Sequence, residues 1–294
     1  MISIVIITCN RCDTLKKTII SCNSHISMEW ELIIVDNAST DNTKYTVKKI
    51  CKEEGIKLNY RYSEINLGVA GARNIGYEMA KGDIVYFIDD DAVIESDGYC
   101  IDKAYEYLKK NKDVQILSTT INDSLWGGIL PEITEDNLPM KNGVNLRCFI
   151  GCSHFIKKNE NIDLPLYPDN LFYGAEEIYL SYLMHAKNLR VEYYDQLYVQ
   201  HNPSKNTRTS YYETQRNKII NWYIVKQYTY PFPYNYLSSI IYSIRILKLT
   251  RGNIKKIREV KEIYNQRYSS KYVRKIPYST MKNIMKKFGA RYML

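Results

Sequence analysis

The chain has 294 residues, of which 45% are apolar and 25% charged, and its formal net charge is +9. This composition excludes a disordered or fibrous protein, and the length accommodates one large α/β domain with an extension, or two domains. The chain starts on an apolar run at residues 2–7 with no basic region before it, and it never reaches about 18 uninterrupted apolar residues. We therefore expect no secretory leader, no membrane span and a cytoplasmic protein.

Seven cysteines are scattered through apolar stretches. An odd number in such contexts is typical of a reducing compartment rather than of a disulfide framework. Cys9 and Cys12 form a C-x-x-C between the first predicted strand and the first predicted helix. Because no second pair is present for zinc and the flanking residues resemble no redox motif, we do not expect redox chemistry there.

Strand-like and helix-like patterns alternate over the first 120 residues. The predicted elements are a strand at 2–8, a helix over about 12–25, a strand at 30–36, a helix over about 41–54, a strand at 58–62, a helix over about 69–80 and a strand at 84–88. Such alternation predicts an α/β fold with a mostly parallel sheet and helices on both faces. In these sheets ligands bind at the carboxyl ends of the strands. The loops at those ends are the places to look for a site.

Polar residues follow every one of these strands. They are Thr8 and Asn10 after the first, Asp36 after the second, Asn66 and Gly68 after the third, and Asp89, Asp90 and Asp91 after the fourth. Three consecutive carboxylates repel one another unless a cation or solvent separates them. Oxygen ligands suit Mg²⁺ or Mn²⁺ better than zinc, and these ions commonly accompany phosphate groups. A solvated acidic turn is the alternative, and the triplet by itself does not decide between the two.

A glycine-containing segment at 68–76 matches neither a dinucleotide-binding fingerprint nor a phosphate-binding P-loop. Its glycines suit a tight turn into a helix, which would present Arg73 near the helix start. Close packing of a helix through small residues explains the glycines equally well, but it does not explain Arg73.

The second half of the chain is less regular. Residues 121–145 are polar and predict an insertion or flexible connection, and strand-like runs follow at 146–150 and 153–156. Glu176 and Glu177 open a helix with apolar periodicity, whose N-terminus would stabilise two carboxylates without any catalytic role. His201 follows a strand-like run at 191–199 and, taken alone, is an ordinary surface or core histidine.

The positive charge is concentrated at the C-terminus. Residues 245–294 contain 15 Lys and Arg against 2 acids, so residues 1–244 carry a net charge of −4. An apolar stretch at 236–249 precedes a basic amphipathic helix at 253–269, a combination that suits an anionic membrane surface. A helical pair packed on the catalytic part, or forming a homodimer, is the alternative. Because the sequence contains no recognised nucleic-acid-binding motif, we expect no nucleic-acid binding.

Over about residues 1–225 these motifs together resemble the family-2 glycosyltransferases with the GT-A fold. The resemblance lies in their order: residues 5–10, residues 33–41, Asn66 to Asn74, the Asp-x-Asp at 89–91, Glu176-Glu177, His201, and Arg216-Asn217 before a Trp-Tyr pair. It implies a Rossmann-like mixed sheet with helices on both faces. Residues 1–120 would form a nucleotide-binding half, residues 121–225 an acceptor-binding half, and residues 226–294 a basic, mostly helical C-terminal extension.

The resemblance also implies roles for single residues. Nucleotide-sugar contacts would come from Thr8, Asn10, Asp36, Asn66, Gly68, Arg73, Asp89, Asp90 and Arg208. Mn²⁺ or Mg²⁺ would be held by Asp91, Asp89 and His201. Residues 202–215, with Lys205 or Arg208, resemble a segment that closes over the donor, although a plain surface loop would look the same.

Glu177 stands where the family usually has an aspartate acting as general base. The longer side chain keeps Glu176 as a rival base, and Tyr179 replaces a frequent acid and would reshape the acceptor side. The implied activity is metal-dependent inverting transfer from a UDP- or dTDP-sugar to a hydroxyl of a surface glycan, a lipid-linked oligosaccharide or a natural product, at the inner face of the plasma membrane. A nucleotidyltransferase is one alternative, but residues 8–14 lack its basic glycine-rich loop. A non-catalytic nucleotide-sugar-binding module is the other.

Overall fold

A computed structural model describes residues 1–203 and 210–292. These residues form one mixed sheet with the strand order β3-β2-β1-β4-β8-β6-β9-β5, and β7 pairs with β6. The strands are β1 (Ile2–Thr8), β2 (Trp30–Asn37), β3 (Leu58–Ser63), β4 (Ile84–Ile88), β5 (Ala92–Ile94), β6 (Val114–Asp123), β7 (Gly128–Ile129), β8 (Ser153–Lys157) and β9 (Arg190–His201). The helices are α1 (Cys12–Ser24), α2 (Thr43–Glu53), α3 (Gly68–Met79), α4 (Cys100–Lys110), α5 (Glu176–Ala186), α6 (Tyr211–Thr229), α7 (Tyr234–Thr250), α8 (Ile254–Arg267) and α9 (Tyr278–Phe288).

The first four strands are parallel, as their β/α alternation predicts. The apolar, β-branched residues of β1, β2 and β4 are buried on both faces of the sheet, which suits strands covered by helices on each side, whereas the edge strand β3 has no buried residue. The register pairs Thr8 with Asp36, so β1 and β2 end level with each other. The acidic triplet follows β4 at the same edge, because β4 is the other parallel neighbour of β1.

The later strands bring His201 to this edge from far along the chain. β8 lies antiparallel between β4 and β6, and β6 pairs in parallel with β9. The short strand β5 then pairs with the end of β9, which places His201 opposite Ala92. In the same register His201 is paired with Asp123 of β6. Strand pairing alone therefore places His201 beside the last residue of the acidic triplet.

The core has one apolar cluster on each face of the sheet. Alternate residues of β1 point to opposite clusters, Val5 to one and Ile4 to the other. The cluster that includes Val5 also contains buried residues of α3, α5 and α6 and, from the C-terminal segment, Ile246, Val260, Tyr272, Met281 and Phe288. The C-terminal helices thus pack on the catalytic fold, and the proposed boundary at residue 225 falls inside α6.

Three features differ from the sequence-based predictions or were absent from them. Residues 146–150 are not a strand: Leu146 forms only an isolated bridge with Thr134, while Leu146 and Phe149 fill the core, so their apolar character reflects burial. The polar stretch 121–145 begins inside β6 and includes β7. α4, β5 and β6 were not predicted.

Among the described residues, no helix combines the length and the apolar character needed to cross a membrane.

Candidate active site

Arg11 neutralises two of the three acids after β4. Its Nη1 lies 2.9 Å from Asp90 Oδ1 and 2.7 Å from Asp91 Oδ2. Asp90 is buried and also accepts a hydrogen bond from Thr8 Oγ1 at 2.7 Å, which ties the end of β1 to the end of β4. Burial raises the pKa of Asp90 to about 7, against the opposing charge of Arg11. Asp90 and Thr8 therefore hold this edge of the sheet together.

Asp91 and His201 form the second contact of the acidic cluster. His201 Nε2 lies 3.2 Å from Asp91 Oδ1, and His201 Nδ1 lies 2.8 Å from Asp123 Oδ2. Burial alone would raise the pKa of Asp91, but the hydrogen bond and charge of His201 bring it below its ordinary value. Burial likewise disfavours the charged imidazole, yet Asp91 and the other acids raise the pKa of His201 to about 9.

The arrangement around His201 is typical of a metal ligand. A ligating histidine usually gives its second ring nitrogen to a carboxylate, which fixes the ring. Asp123 is in that position, and its Oδ1 accepts the backbone N–H groups of Leu125 and Trp126, each at 2.8 Å. Asp89, Cys152 and His201 each offer a ligand atom, and these atoms lie within 4.8 Å of one another. Carboxylate and imidazole donors at this spacing fit a hard divalent ion, whereas burial holds the pKa of the Cys152 thiol well above its usual range.

Two of the residues predicted to contact the nucleotide sugar, Asn10 and Asp36, lie at the ends of β1 and β2. Asp36 is buried; its Oδ1 accepts the Ser39 N–H at 2.8 Å, and its Oδ2 accepts the Tyr60 hydroxyl. Asn10 adopts a left-handed backbone conformation, φ 55°, and its Oδ1 accepts the backbone N–H of Thr40 at 2.7 Å. These contacts fix the shape of the two loops.

Asn66 and Gly68 form the turn into α3. Asn66 Oδ1 accepts the Asn37 side-chain amide and the Gly68 N–H, both at 2.9 Å. Gly68 has φ 72°, and a Cβ there would overlap the carbonyl oxygen of Phe172. Both the positive φ and the close approach require glycine at this position.

Arg73 links the two halves of the site. Its buried guanidinium donates to Asp89 Oδ1 at 3.0 Å and to the Gly151 carbonyl at 2.8 Å. Its other terminal nitrogen lies 3.4 Å from Glu176 Oε1 and 3.8 Å from Glu177 Oε1. One cation therefore holds an acid of the triplet and both acids of the glutamate pair.

The two glutamates differ in exposure and in what their oxygens contact. The side chain of Glu176 is 2% exposed, and one of its oxygens is buried without a hydrogen-bond partner. The Glu177 side chain is 20% exposed. Burial, followed by the neighbouring charge of Glu176, raises the pKa of Glu177 to about 8. Glu177 is thus the more accessible carboxylate, with a pKa suited to accepting a proton near neutral pH.

The segment before α5 holds an unusual backbone conformation. Phe172, Gly174 and Ala175 have φ values of 59°, 83° and 78°. Such conformations cost non-glycine residues about 1–3 kcal/mol each and persist only where surrounding contacts impose them. Here the Phe172 carbonyl accepts the Val69 N–H at 2.7 Å, and Asn221 contacts the segment from α6. The glutamate pair therefore follows directly on a segment that other elements hold in place.

Most of the candidate site residues named from the sequence lie along this edge of the sheet or beside Arg73, with three exceptions. Lys205 and Arg208 lie outside the described residues. Tyr179 is buried in the core, and its hydroxyl donates to the Tyr272 carbonyl at 3.1 Å, so it faces the C-terminal segment.

Sequence reasoning did not identify several residues of the site. They are Arg11, Tyr60, Asp123, Gly151, Cys152 and Asn221. Arg11 directly follows the Thr8-Cys-Asn10 motif, and that position was the one signal available for finding it. The others lie on elements that reach the site only through the tertiary fold.

Comparisons with known proteins agree with this geometry. The chain is 32% identical over 162 residues to an uncharacterised protein of Haemophilus influenzae, which is 54% of this chain and 88% of that protein. It is 36% identical over 91 residues to a UDP-Glc:α-D-GlcNAc-diphosphoundecaprenol β-1,3-glucosyltransferase of Escherichia coli, which is 31% of this chain but only 35% of that enzyme. The fold is similar to the crystal structure of GalNAc-T7 with UDP, GalNAc and Mn²⁺, with a TM-score of 0.66, 16% identity, and coverage of 93% of this chain and 55% of that one.

A family model supplies the assignment. The model described as glycosyl transferase family 2 matches residues 3–158, which is just over half of the chain and includes the β1 to β4 loops, Arg73 and the acidic triplet. The predicted mixed sheet with helices on both faces is also the arrangement of the similar GT-A structures. The chain therefore belongs to glycosyl transferase family 2 and is a glycosyltransferase with the GT-A fold.

Proposed function

We propose that this glycosyltransferase is metal-dependent and inverting, and that it moves a sugar from a UDP-sugar or a dTDP-sugar to an acceptor hydroxyl. The proposal rests on one observation: the guanidinium of Arg73 forms ion pairs both with Asp89 and with the glutamate pair. It keeps a cluster suited to a divalent ion and an accessible carboxylate on the two sides of one guanidinium. Transfer from a nucleotide sugar needs both: a place for the leaving diphosphate and a base for the acceptor.

In this proposal Asp91, Asp89 and His201 would hold Mn²⁺ or Mg²⁺, and Asp123 orients His201. The bound ion would supply charge neutralisation at the leaving diphosphate. Glu177 removes the proton of the acceptor hydroxyl as its oxygen attacks the anomeric carbon. The bond from that carbon to the diphosphate oxygen breaks, UDP leaves, and attack from the opposite face inverts the configuration. Glu176 stays buried and fixes Arg73.

The acceptor proposal rests on the relatives. The Escherichia coli relative is named for a GlcNAc-diphosphoundecaprenol acceptor. We propose that the acceptor here is likewise a glycan or lipid-linked oligosaccharide of the cell envelope. Because the chain spans about a third of that enzyme's length, the detailed substrate does not carry over from it.

The direct test is UDP or dTDP release from a panel of nucleotide sugars, with Mn²⁺, with Mg²⁺ and with EDTA. We expect release with at least one donor in the presence of the ion and its loss in EDTA. Release that is equal in EDTA would overturn the metal proposal. The chain could instead bind the nucleotide without any turnover when glycan and lipid-linked acceptors are present. That result would favour the alternative of a non-catalytic nucleotide-sugar-binding module.

A second part of the proposal concerns the membrane, and it rests on α7. We define the α7 stripe as Tyr236, Leu237, Ile240, Ile244 and Leu247, whose exposed fractions lie between 40% and 62%. These positions recur at helical spacing on one side of α7, while the buried residues of this helix, which include Ser238 and Ile246, lie on the other side. α8 differs, because Ile257, Val260 and Ile263 pack against the core.

The charge around the α7 stripe supports an anionic bilayer surface as its proposed partner. Exposed Arg245, Lys248 and Arg251 accompany the stripe, and residues 214–258 contain no acid. Basic residues near a membrane surface contribute about 1 kcal/mol each where anionic lipids are present. An apolar stripe with such neighbours suits shallow insertion at the lipid head groups. Docking there would bring the site to a lipid-linked acceptor.

Flotation with vesicles tests this surface. We expect the full chain to float with phosphatidylglycerol vesicles at low salt, less at high salt, and little with phosphatidylcholine vesicles. The double variant Ile240→Glu/Ile244→Glu should abolish flotation. The control Tyr45→Glu/Ile65→Glu, at two exposed positions among residues 1–120, should float like the wild-type chain. Unchanged flotation of the α7 variant would overturn the proposal. So would absent flotation of the wild-type chain together with a dimer that the α7 variant dissociates.

A further inference from the structure

The glutamate pair follows a segment that the C-terminal helices hold through one buried amide. Asn221 of α6 is buried, and its Nδ2 donates to the carbonyls of Leu171 at 2.8 Å, Tyr173 at 2.7 Å and Gly174 at 3.2 Å. A side-chain amide has two hydrogens, so these three contacts use its whole donor capacity. All three acceptors lie in the segment of unusual backbone conformation that leads into α5.

The orientation of this amide is set by Arg267 at the end of α8. Arg267 Nη1 donates to Asn221 Oδ1 at 3.0 Å, and Arg267 Nη2 donates to Asn217 Oδ1 at 3.1 Å. Because a guanidinium can only donate, it must face the amide oxygen, and the amide nitrogen must then face the carbonyls. Asn217 and Asn221 are four residues apart on α6, so one guanidinium reaches both.

Two further contacts join α8 and α6 to Asn170, the residue that precedes this segment. Asn170 donates to the carbonyl oxygen of Arg267 and, at 2.7 Å, to the hydroxyl of Tyr228. The opposite side of the segment is fixed by the Phe172 carbonyl, which accepts the Val69 N–H of α3. Residues 171–175 are therefore held between α3 on the donor side and α6 with α8 on the C-terminal side.

We infer that Asn221 and Arg267 are positioning residues that set the approach of Glu177 to the acceptor. Within residues 1–203 and 210–292, neither side chain forms a hydrogen bond or ion pair with the triplet, Arg73 or the glutamate pair, so both act through the backbone of residues 171–175. This gives the C-terminal extension a part in transfer that is separate from any membrane contact. The inference rests on the proposed function, because it takes Glu177 to be the general base.

Asn221→Asp separates positioning from stability. The aspartate keeps the contact with Arg267 as an ion pair, but its oxygens cannot donate to the three carbonyls and repel them. Arg267→Met removes the orienting donor from the other side. The control is Arg258→Met, because Arg258 is exposed on the same helix.

The readouts are hydrogen–deuterium exchange of the peptide covering 170–177, turnover of the nucleotide sugar that the wild-type chain uses, and Mn²⁺–UDP affinity. We expect Asn221→Asp and Arg267→Met to exchange faster in this peptide and to lose turnover by about tenfold to a hundredfold, since small misplacement of a reacting group costs that much. The Kd for UDP should stay within about twofold, because the nucleotide half is untouched. Arg258→Met should match the wild-type chain in all three.

Wild-type exchange and turnover in Asn221→Asp would overturn the inference. An equal loss of UDP affinity and turnover would also overturn it, because the contacts would then be merely structural. If Asn221→Asp does not fold, Arg267→Met decides by the same criteria. If the wild-type chain turns over no donor, the proposed function fails, while the exchange measurement still shows whether Asn221 holds residues 171–175.

Discussion

The proposed donor side and the proposed acceptor side of this site are assembled in different ways. On the donor side, Thr8, Asp36 and the acidic triplet lie together because three parallel strands end at one edge. On the acceptor side, Glu177 follows a segment held by a backbone N–H of α3 and by the Asn221 side chain of α6. The adjoining Asn170 side chain donates to the carbonyl of Arg267 in α8, 97 residues away in the chain. Backbone pairing fixes the first arrangement and side-chain contacts fix the second. The acceptor side is therefore the part that single substitutions should disturb without loss of nucleotide binding.

The largest expected effect is on the base. Glu177→Gln should lower transfer by about 10²–10⁴-fold, since the amide cannot take the acceptor proton. Mn²⁺–UDP affinity, measured by calorimetry, should remain near the wild-type value because the acidic triplet is untouched. Glu176→Gln is the comparison. An active Glu177→Gln with an inactive Glu176→Gln would assign the base to Glu176.

A metal-affinity effect of about 10–100-fold is expected at Asp123, because residues behind a metal ligand typically contribute that much. Asp123→Asn keeps an oxygen near His201 Nδ1 but removes the negative charge that raises the basicity of the ring. Mn²⁺ titration in the presence of UDP measures the change. Asp97→Asn, at an exposed position near the same sheet, is the control. Unchanged Mn²⁺ affinity in Asp123→Asn would remove His201 from the proposed ligand set.

Gly151 lies where the two sides meet. A Cβ there would overlap Glu177 Oε1 and lie 2.8 Å from Arg73 Nη1, so Gly151→Ala should displace the base. We expect roughly a tenfold loss of kcat with little change in thermal stability, because the side-chain end can move but then loses its alignment. Gly128→Ala, where nothing lies within 4 Å of the added Cβ, is the matched control. Equal kcat in the two variants would show that Glu177 tolerates displacement.

The pH profile gives the smallest expected effect. A base must be deprotonated to act, and the pKa of Glu177 is raised to about 8 by burial and by Glu176. kcat/KM should therefore rise about tenfold between pH 6.5 and 7.7 and level off above about pH 9. In Glu176→Gln the like charge is absent, so the rise should move to lower pH. A flat wild-type profile from pH 6 upward would contradict the raised pKa.

The sequence was a good guide where the pattern was local. The elements up to β4 were predicted within one or two residues at most ends, because buried parallel strands and amphipathic helices each have a clear period. The prediction of a strand at residues 146–150 was wrong, because an apolar run indicates burial but does not show that a partner strand is present. Arg11 was not identified although it adjoins a recognised motif, because a single arginine in a loop adds nothing to the hydrophobic periodicity that the predictions used.

The sequence by itself determined the α/β alternation, the polar strand ends and the order of motifs that identifies the family. These follow from hydrophobic period and residue type, which are properties of short segments. Only the tertiary structure decided that β5, β6 and β9 bring Asp123 and His201 to the triplet, and that Glu176 is buried while Glu177 is accessible. It also decided that the basic C-terminal segment packs on the catalytic fold and holds residues 171–175 through Asn221 and Arg267. Such contacts join residues far apart in the chain, and no local pattern encodes which of them meet.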